Sequence, residues 1–240
     1  MTAPSPVPLS PPLSSVAGGL RDPAVAALVE AVQRADTALT LLQATQALAA
    51  AANPLAAGCL VEVLGFNNPG AAVAAVDGLI AIGEPAVATI LANIDGNNYG
   101  ARAWAVRALA GIGDVRGLAV LEEALAHDIG PSVRRAAARG LGQLRLEALE
   151  RSQRQSVAGR CLQALVQGCS DDEWVVRYAV AVGLESLAPQ LQEQERQQVL
   201  VALRGLEAES REAAPVVQLR AALALRRLGE DAAAGEDRHG

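Results

Sequence analysis

RAWAVRALAGI at residues 102–112 aligns without gaps on AVAAVDGLIAI at 72–82, RRAAARGLGQL at 134–144 and RYAVAVGLESL at 177–187. Leu79, Leu109, Leu141 and Leu184 share one position, and Ile82, Ile112, Leu144 and Leu187 share another three residues later. The four segments start 30, 32 and 43 residues apart. Self-similarity at a few tens of residues is the mark of a repeat solenoid, in which each unit buries its apolar face only against its neighbours. An apolar-periodic helix precedes each segment, over 54–64, 85–94, 116–127 and 156–167, and weaker copies lie at 24–50 and 195–228. The reading is an all-α, HEAT-like α/α superhelical solenoid of about six helical hairpins. Gly78, Ala108, Gly140 and Gly183 stand one position before the shared leucine. Glycine inside a helix costs about 0.5–1 kcal/mol relative to alanine, so small residues recurring there point to close helix approach.

Composition agrees with this architecture. Of 240 residues, 51% are hydrophobic but only 2% aromatic, and alanine, leucine and valine dominate. Sandwiches and barrels favour threonine, isoleucine and aromatics in alternating runs. The net charge is −6, which argues against nucleic acid as a partner because phosphate neutralisation needs clustered positive charge. All 20 basic residues are arginine, so Schiff-base lysines and Walker-type phosphate loops are excluded. Residues 1–22, with five prolines in the first twelve positions, read as a disordered lead-in, 23–228 as the repeat domain, and 229–240 as a flexible tail. The first charge is Arg21, so no secretory leader is expected. No apolar run is long enough for a membrane span, and the chain reads as cytoplasmic.

An acidic residue precedes the arginine in three copies: Asp95 before Arg102, Asp128 before Arg134, and Asp171 and Asp172 before Arg177. This is a HEAT-type feature, and each pair is expected to tie its inter-helix turn to the following helix start, a structural role. With the first residue of each segment counted as zero, at 100° per residue, positions 3, 4, 7 and 10 form the core stripe, and positions 1, 5 and 8 point away toward the inner surface. That surface would carry Asp77, Arg107, Arg135, Arg139, Val182, Tyr178 and Glu185. Arginines gathered on one face of an acidic chain suit a carboxylate or phosphate ligand, although a solvated polar face has the same pattern. The turns GFNNPG at 65–70 and DGNNYG at 95–100 are asparagine- and glycine-rich and each carries an aromatic. They read either as plain tight turns or as the site of an aromatic wall of Phe66, Tyr99 and Trp104. Trp174 is expected to plug a hairpin seam.

Metal and nucleophile chemistry find little support. Cys59, Cys161 and Cys169 lack metal-ligand spacing, and Cys59 sits on an apolar helix as a small buried residue. His127 ends a helix, where it can serve the last carbonyls, and no Ser-His-Asp, HExxH or GxGxxG pattern is present. No metal and no tightly bound cofactor is expected.

FNNPGAAVAAVDGLIAIG at 66–83, NNYGARAWAVRALAGIGDVRGL at 97–118, SVRRAAARGLG at 132–142 and EWVVRYAVAVGLE at 173–185 resemble the E/F-type phycobilin lyases, and within them the F-type (beta) subunits. The resemblance spans about residues 24–228. It implies one half of a heterodimer with an E-type subunit that binds an open-chain tetrapyrrole, phycocyanobilin or phycoerythrobilin, and attaches it by a thioether to a cysteine of a phycocyanin alpha subunit. Relatives that also isomerise the bilin carry Asn-His-Cys-Gln-Gly-Asn where this chain has GFNNPG at 65–70, without His or Cys, so ligation without isomerisation is expected. Under this resemblance Arg107, Arg135 and Arg139 would take the propionates. Phe66, Tyr99, Trp104 and Tyr178 would line the pigment, and Asp77 would hold the pyrrole nitrogens protonated as the catalytic carboxylate. A non-catalytic HEAT scaffold, or a phycobilisome-degradation adaptor that binds phycobiliproteins, is the competing class.

Overall fold

The computed structural model describes residues 22–236 except 95–97, 209 and 211. Among them are twelve α-helices in six antiparallel hairpins. The first helices of the hairpins are α1 (Pro23–Gln33), α3 (Ala57–Val63), α5 (Glu84–Ala92), α7 (Leu118–His127), α9 (Arg151–Gly168) and α11 (Glu193–Glu207). The second helices are α2 (Ala38–Ala50), α4 (Pro69–Ile82), α6 (Tyr99–Ile112), α8 (Pro131–Gly142), α10 (Trp174–Leu187) and α12 (Pro215–Glu236). The chain divides into two compact units between Ile112 and Gly113, three hairpins in each. In the first unit α2, α4 and α6 stack in order, and in the second α8, α10 and α12 do the same.

Local chemistry sets the helix boundaries. Asp22 caps α1 by accepting from the amides of Ala24 and Val25, with Pro23 in the first turn. Thr37 and Thr40 form a reciprocal capping box on α2, satisfying amides that the first turn leaves orphaned. Asn68 and Asn98 accept from Ala71 and Ala101 at the starts of α4 and α6. Asn68 also donates to the carbonyl of Ala38 at 2.9 Å, fastening the second hairpin to the first. The asparagines at 68 and 98 are therefore helix caps, which favours the plain-turn reading of those two positions. Gly83, at φ 74°, ends α4 and turns the chain directly into α5, a conformation that costs a residue with Cβ more than glycine.

The shared leucines 79, 109, 141 and 184 are 0–1% exposed, so the aligned position is the centre of each core layer. Gly183 sits where α10 crosses α8, and a Cβ placed there would lie 2.6 Å from the Ala138 carbonyl oxygen. Gly142 opposes Gly183 backbone to backbone. In the first unit a Cβ on Gly78 would lie 2.7 Å from Ala49 Cβ. The 43-residue spacing before the fourth segment comes from α9, which is 18 residues long, and from the loop 145–150 that leads into it. That loop buries Leu146, and Arg154 donates to the carbonyls of Glu147 and Leu149.

Four boundaries differ from the sequence reading. Helix α9 begins at Arg151 rather than near 156, and Pro54–Ala56 and Val115–Gly117 are short 3₁₀ turns before α3 and α7. Helix α12 continues through Glu236, past the tail boundary drawn at 228. The lead-in expected over 1–21, the last tail residues 237–240 and Asp95 lie outside the described residues.

Candidate functional site

Which arginines are committed to the scaffold, and which remain for a ligand, is decided by their hydrogen bonds. Arg134 on α8 donates from Nη1 to the carbonyl of Asp128 in its own turn, at 2.9 Å. Its Nε and Nη2 fork onto Asp171 of the next hairpin at 2.7 and 2.9 Å. Arg177 on α10 repeats the arrangement, donating to the carbonyls of Asp171 and Asp172 and forking onto Glu212 at 2.5 and 2.7 Å. Arg134 and Arg177 tie their turns to the following helix starts as expected, through the carbonyls of the acidic residues. The turn supplies carbonyls, and the carboxylate comes from the following repeat, because the guanidinium fork spans the seam between stacked hairpins. Asp171 in turn accepts from the amide of Glu173, and Glu212 from that of Ala214.

The series ends at Gln218, which donates to the carbonyl of Glu212. Glu212 was missed in the sequence because it is not an aspartate. Its six-residue spacing to Gln218, the spacing of Asp128–Arg134 and Asp171–Arg177, is the signal that finds it. Burial is the largest single effect on the Asp171 carboxyl and works to raise it, yet the Arg134 fork, the Glu173 amide and the charges of Arg134 and Arg177 together leave it below the usual range. The Arg177 fork holds Glu212, 2% exposed, below its range against the opposing effect of burial. Glu185, assigned to the inner surface by register, is taken up by Arg220 and Arg227 of α12. It is an inter-helix tie rather than a ligand group.

Arg135 and Arg139 differ from these. Both are exposed on α8, one helical turn apart, and among the described residues neither makes a hydrogen bond or ion pair. Residues at i and i+4 sit side by side on a helix. On α10 the equivalent positions are Tyr178 and Val182, both half-buried. The second unit thus carries two guanidinium groups without partners on α8, at the repeat positions that Tyr178 and Val182 hold on α10.

The first unit presents a separate face. Asp77 on α4 is exposed, with exposed Val73 one turn before it. On α6, Arg107 lies over the Trp104 ring at 4.5 Å from its centroid, and Arg102 over Tyr99 at 5.5 Å. Tyr99 is exposed and Trp104 half-buried. Phe66 is not part of a surface wall. It is 7% exposed, because the turn after α3 folds its ring into the core. Trp174 does not plug a seam either. It opens α10 and is 47% exposed, since the first turn of that helix stands at the edge of the stack.

Burial pushes the thiols of Cys59, Cys161 and Cys169 up to about 12, so none is a nucleophile. His127 is the last residue of α7, its Nδ1 3.4 Å from Glu123. Among the described residues no cluster of His, Cys, Asp or Glu could hold a metal, and no helix is long and apolar enough to cross a membrane.

Stacked hairpins joined by an arginine–carboxylate seam define a HEAT-repeat protein. Family profiles for HEAT repeats match residues 92–153 and 161–191. The phycocyanin alpha phycocyanobilin lyase CpcF of Synechocystis sp. PCC 6803 is 55% identical over 71% of this chain and 79% of its own length. The bilin biosynthesis protein RpcF of Synechococcus sp. WH8020 is 47% identical over 82% of this chain and 92% of its own. Among solved structures, the complex of CpcE and CpcF of phycocyanin lyase from Nostoc sp. PCC7120 matches with a TM-score of 0.66 at 41% identity, covering 72% of this chain and 99% of the matched one. A designed armadillo repeat protein, at 18% identity and a TM-score of 0.53, shares the fold alone. The chain belongs to the family of the F-type (beta) phycocyanobilin lyase subunits.

Proposed function

We propose that this chain is the F-type subunit of a heterodimeric bilin lyase. With an E-type partner it binds phycocyanobilin and attaches it, without isomerisation, to a cysteine of a phycocyanin alpha subunit. The single observation that carries the reading is the pair Arg135 and Arg139, exposed and without counter-ions one turn apart on α8. A bilin carries two propionates, and forked, permanently charged donors are the side chains best suited to carboxylates. Tyr178, on the next helix, offers an aromatic surface to the conjugated body. In the first unit Asp77 is the exposed carboxylate on the ligand-facing register, and the reading gives it the task of keeping pyrrole nitrogens protonated. The Arg107–Trp104 pair is an amphipathic contact on the same unit.

The bond-forming step adds the acceptor's S–H across the exocyclic double bond of ring A. The C–S bond forms, the thiol proton passes to the pigment, and nothing leaves. The nucleophile belongs to the acceptor, which accords with the three inert thiols of this chain. What the chain supplies is placement and charge stabilisation. The turn 65–70, which holds neither His nor Cys, has its Phe66 in the core and its Asn68 capping α4, which supports ligation alone.

The test combines this chain, the E-type partner, phycocyanobilin and apo alpha subunit, and reads the red-absorbing covalent adduct. The parent pair forms the adduct, and the variant Arg135→Gln/Arg139→Gln forms it more slowly while still assembling with its partner. Binding of bilin or acceptor with no adduct under any condition would leave a scaffold and sink the lyase reading.

A further inference from the structure

The residues that follow Arg135/Arg139 and Tyr178/Val182 across the stack belong to α12. Its Gln218 donates to the carbonyl of Glu212 as Arg177 does to that of Asp171, which makes Gln218 the repeat equivalent of Arg177. In that register Leu219 falls where Tyr178 and Arg135 stand, and Leu223 where Val182 and Arg139 stand. Leu219 is 71% exposed, and Leu223 is half-buried. One face of three consecutive helices therefore changes in order from two bare guanidinium groups on α8, to an aromatic ring and a valine on α10, to two leucines on α12. A polar solvated surface has no use for the last of these, since covering an exposed leucine stabilises by about 1.5–3 kcal/mol.

Resting on the lyase reading above, we infer that this graded strip is the bilin site of the second unit and that it fixes which edge of the pigment points where. In the coiled conformer of an open-chain tetrapyrrole, both propionates leave one edge and rings A and D lie on the opposite edge. Two guanidinium groups one turn apart match two carboxylates leaving a common edge. With that edge on Arg135 and Arg139, the conjugated plate covers Tyr178 and Val182, and rings A and D come to Leu219 and Leu223. Neighbouring helices pack about 8–10 Å apart, so two steps across the stack match a plate of this size. Ring A, the ring that receives the thiol, then lies over α12, beside the exposed Leu219. The leucines set the orientation, and the far side of ring A is left to the incoming cysteine.

The decisive experiment titrates the heterodimer of the full chain and its E-type partner with phycocyanobilin and, separately, with its dimethyl ester, following the pigment's absorption. Leu219→Asp weakens both ligands by the same factor, on the order of tenfold, because it removes apolar contact at the edge away from the carboxylates. Arg135→Gln/Arg139→Gln weakens the free acid and leaves the ester at the parent value. Unchanged affinity of Leu219→Asp for both ligands overturns the strip while leaving the lyase reading intact. Loss of the heterodimer in Leu219→Asp on gel filtration assigns the leucines to the partner and overturns it as well. A parent heterodimer that binds neither ligand refutes the lyase reading itself.

Discussion

Replacing Gly183 by alanine tests the close approach of α8 and α10 that keeps the second unit in register. The added Cβ would lie 2.6 Å from the carbonyl oxygen of Ala138 and 2.9 Å from Leu165 Cδ2. Ordinary carbon–oxygen contacts begin near 3.3 Å, so the helices must part by about 0.7 Å. The obstructing oxygen is backbone and cannot rotate away. Overpacking of this kind costs about 1–3 kcal/mol, against which alanine recovers about 0.8–1 kcal/mol of helix propensity. The net is a loss of up to about 2 kcal/mol, or up to roughly 8 °C in the unfolding midpoint for a chain of this size. Gly159, inside α9, is the internal control. Its nearest neighbour would be the flexible Glu195 carboxylate at 3.5 Å, so Gly159→Ala raises the midpoint by about 1–3 °C. Thermal unfolding followed by circular dichroism reads both. A Gly183→Ala midpoint above the parent, moving with Gly159→Ala, would refute the close packing of these two helices.

The seam of forked pairs makes three further predictions. Arg177→Met leaves Glu212 buried without its partner, and a loss of about 3 kcal/mol in urea unfolding is expected; a change under 1 kcal/mol would mean the pair is dispensable. Asp171, Glu185 and Glu212 all titrate below their ordinary range when folded. Their stabilisation is therefore complete above their unfolded values of about 3.9–4.3 and disappears as pH falls beneath that range, so the midpoint is flat from neutral pH down to about 5 and drops below about 4. A midpoint that rises on acidification contradicts this. The three thiols, pushed up to about 12, resist alkylation in the native protein at pH 8 and react fully in urea, as mass spectrometry would show. Modification of Cys161 in the native state would contradict its burial.

The repeat architecture was legible in the sequence because everything that specifies it is local. A 3.6-residue apolar period, asparagine and aspartate caps and proline in first turns act within one or two helical turns. The aligned leucines at 79, 109, 141 and 184 declare the core without any knowledge of what packs against them. Alignment also placed the arginines, and with them the face that carries Arg135 and Arg139. It also gave that face Glu185, and the turn at 65–70 suggested a surface role for Phe66. Phe66 went to the core and Glu185 to Arg220 and Arg227, since an aromatic in a turn or a carboxylate on a helix has no local preference that reveals its partner.

Whether a given guanidinium is spent or available depends on a carboxylate 35 or 37 residues away. Arg134 and Arg135 are adjacent in sequence, yet 100° of helical rotation turns one into the seam and leaves the other bare. Periodicity names the helices and their order. Only the stacking of one hairpin on the next, through contacts such as Gly142 against Gly183, decides which charges are neutralised and which stay exposed without a partner.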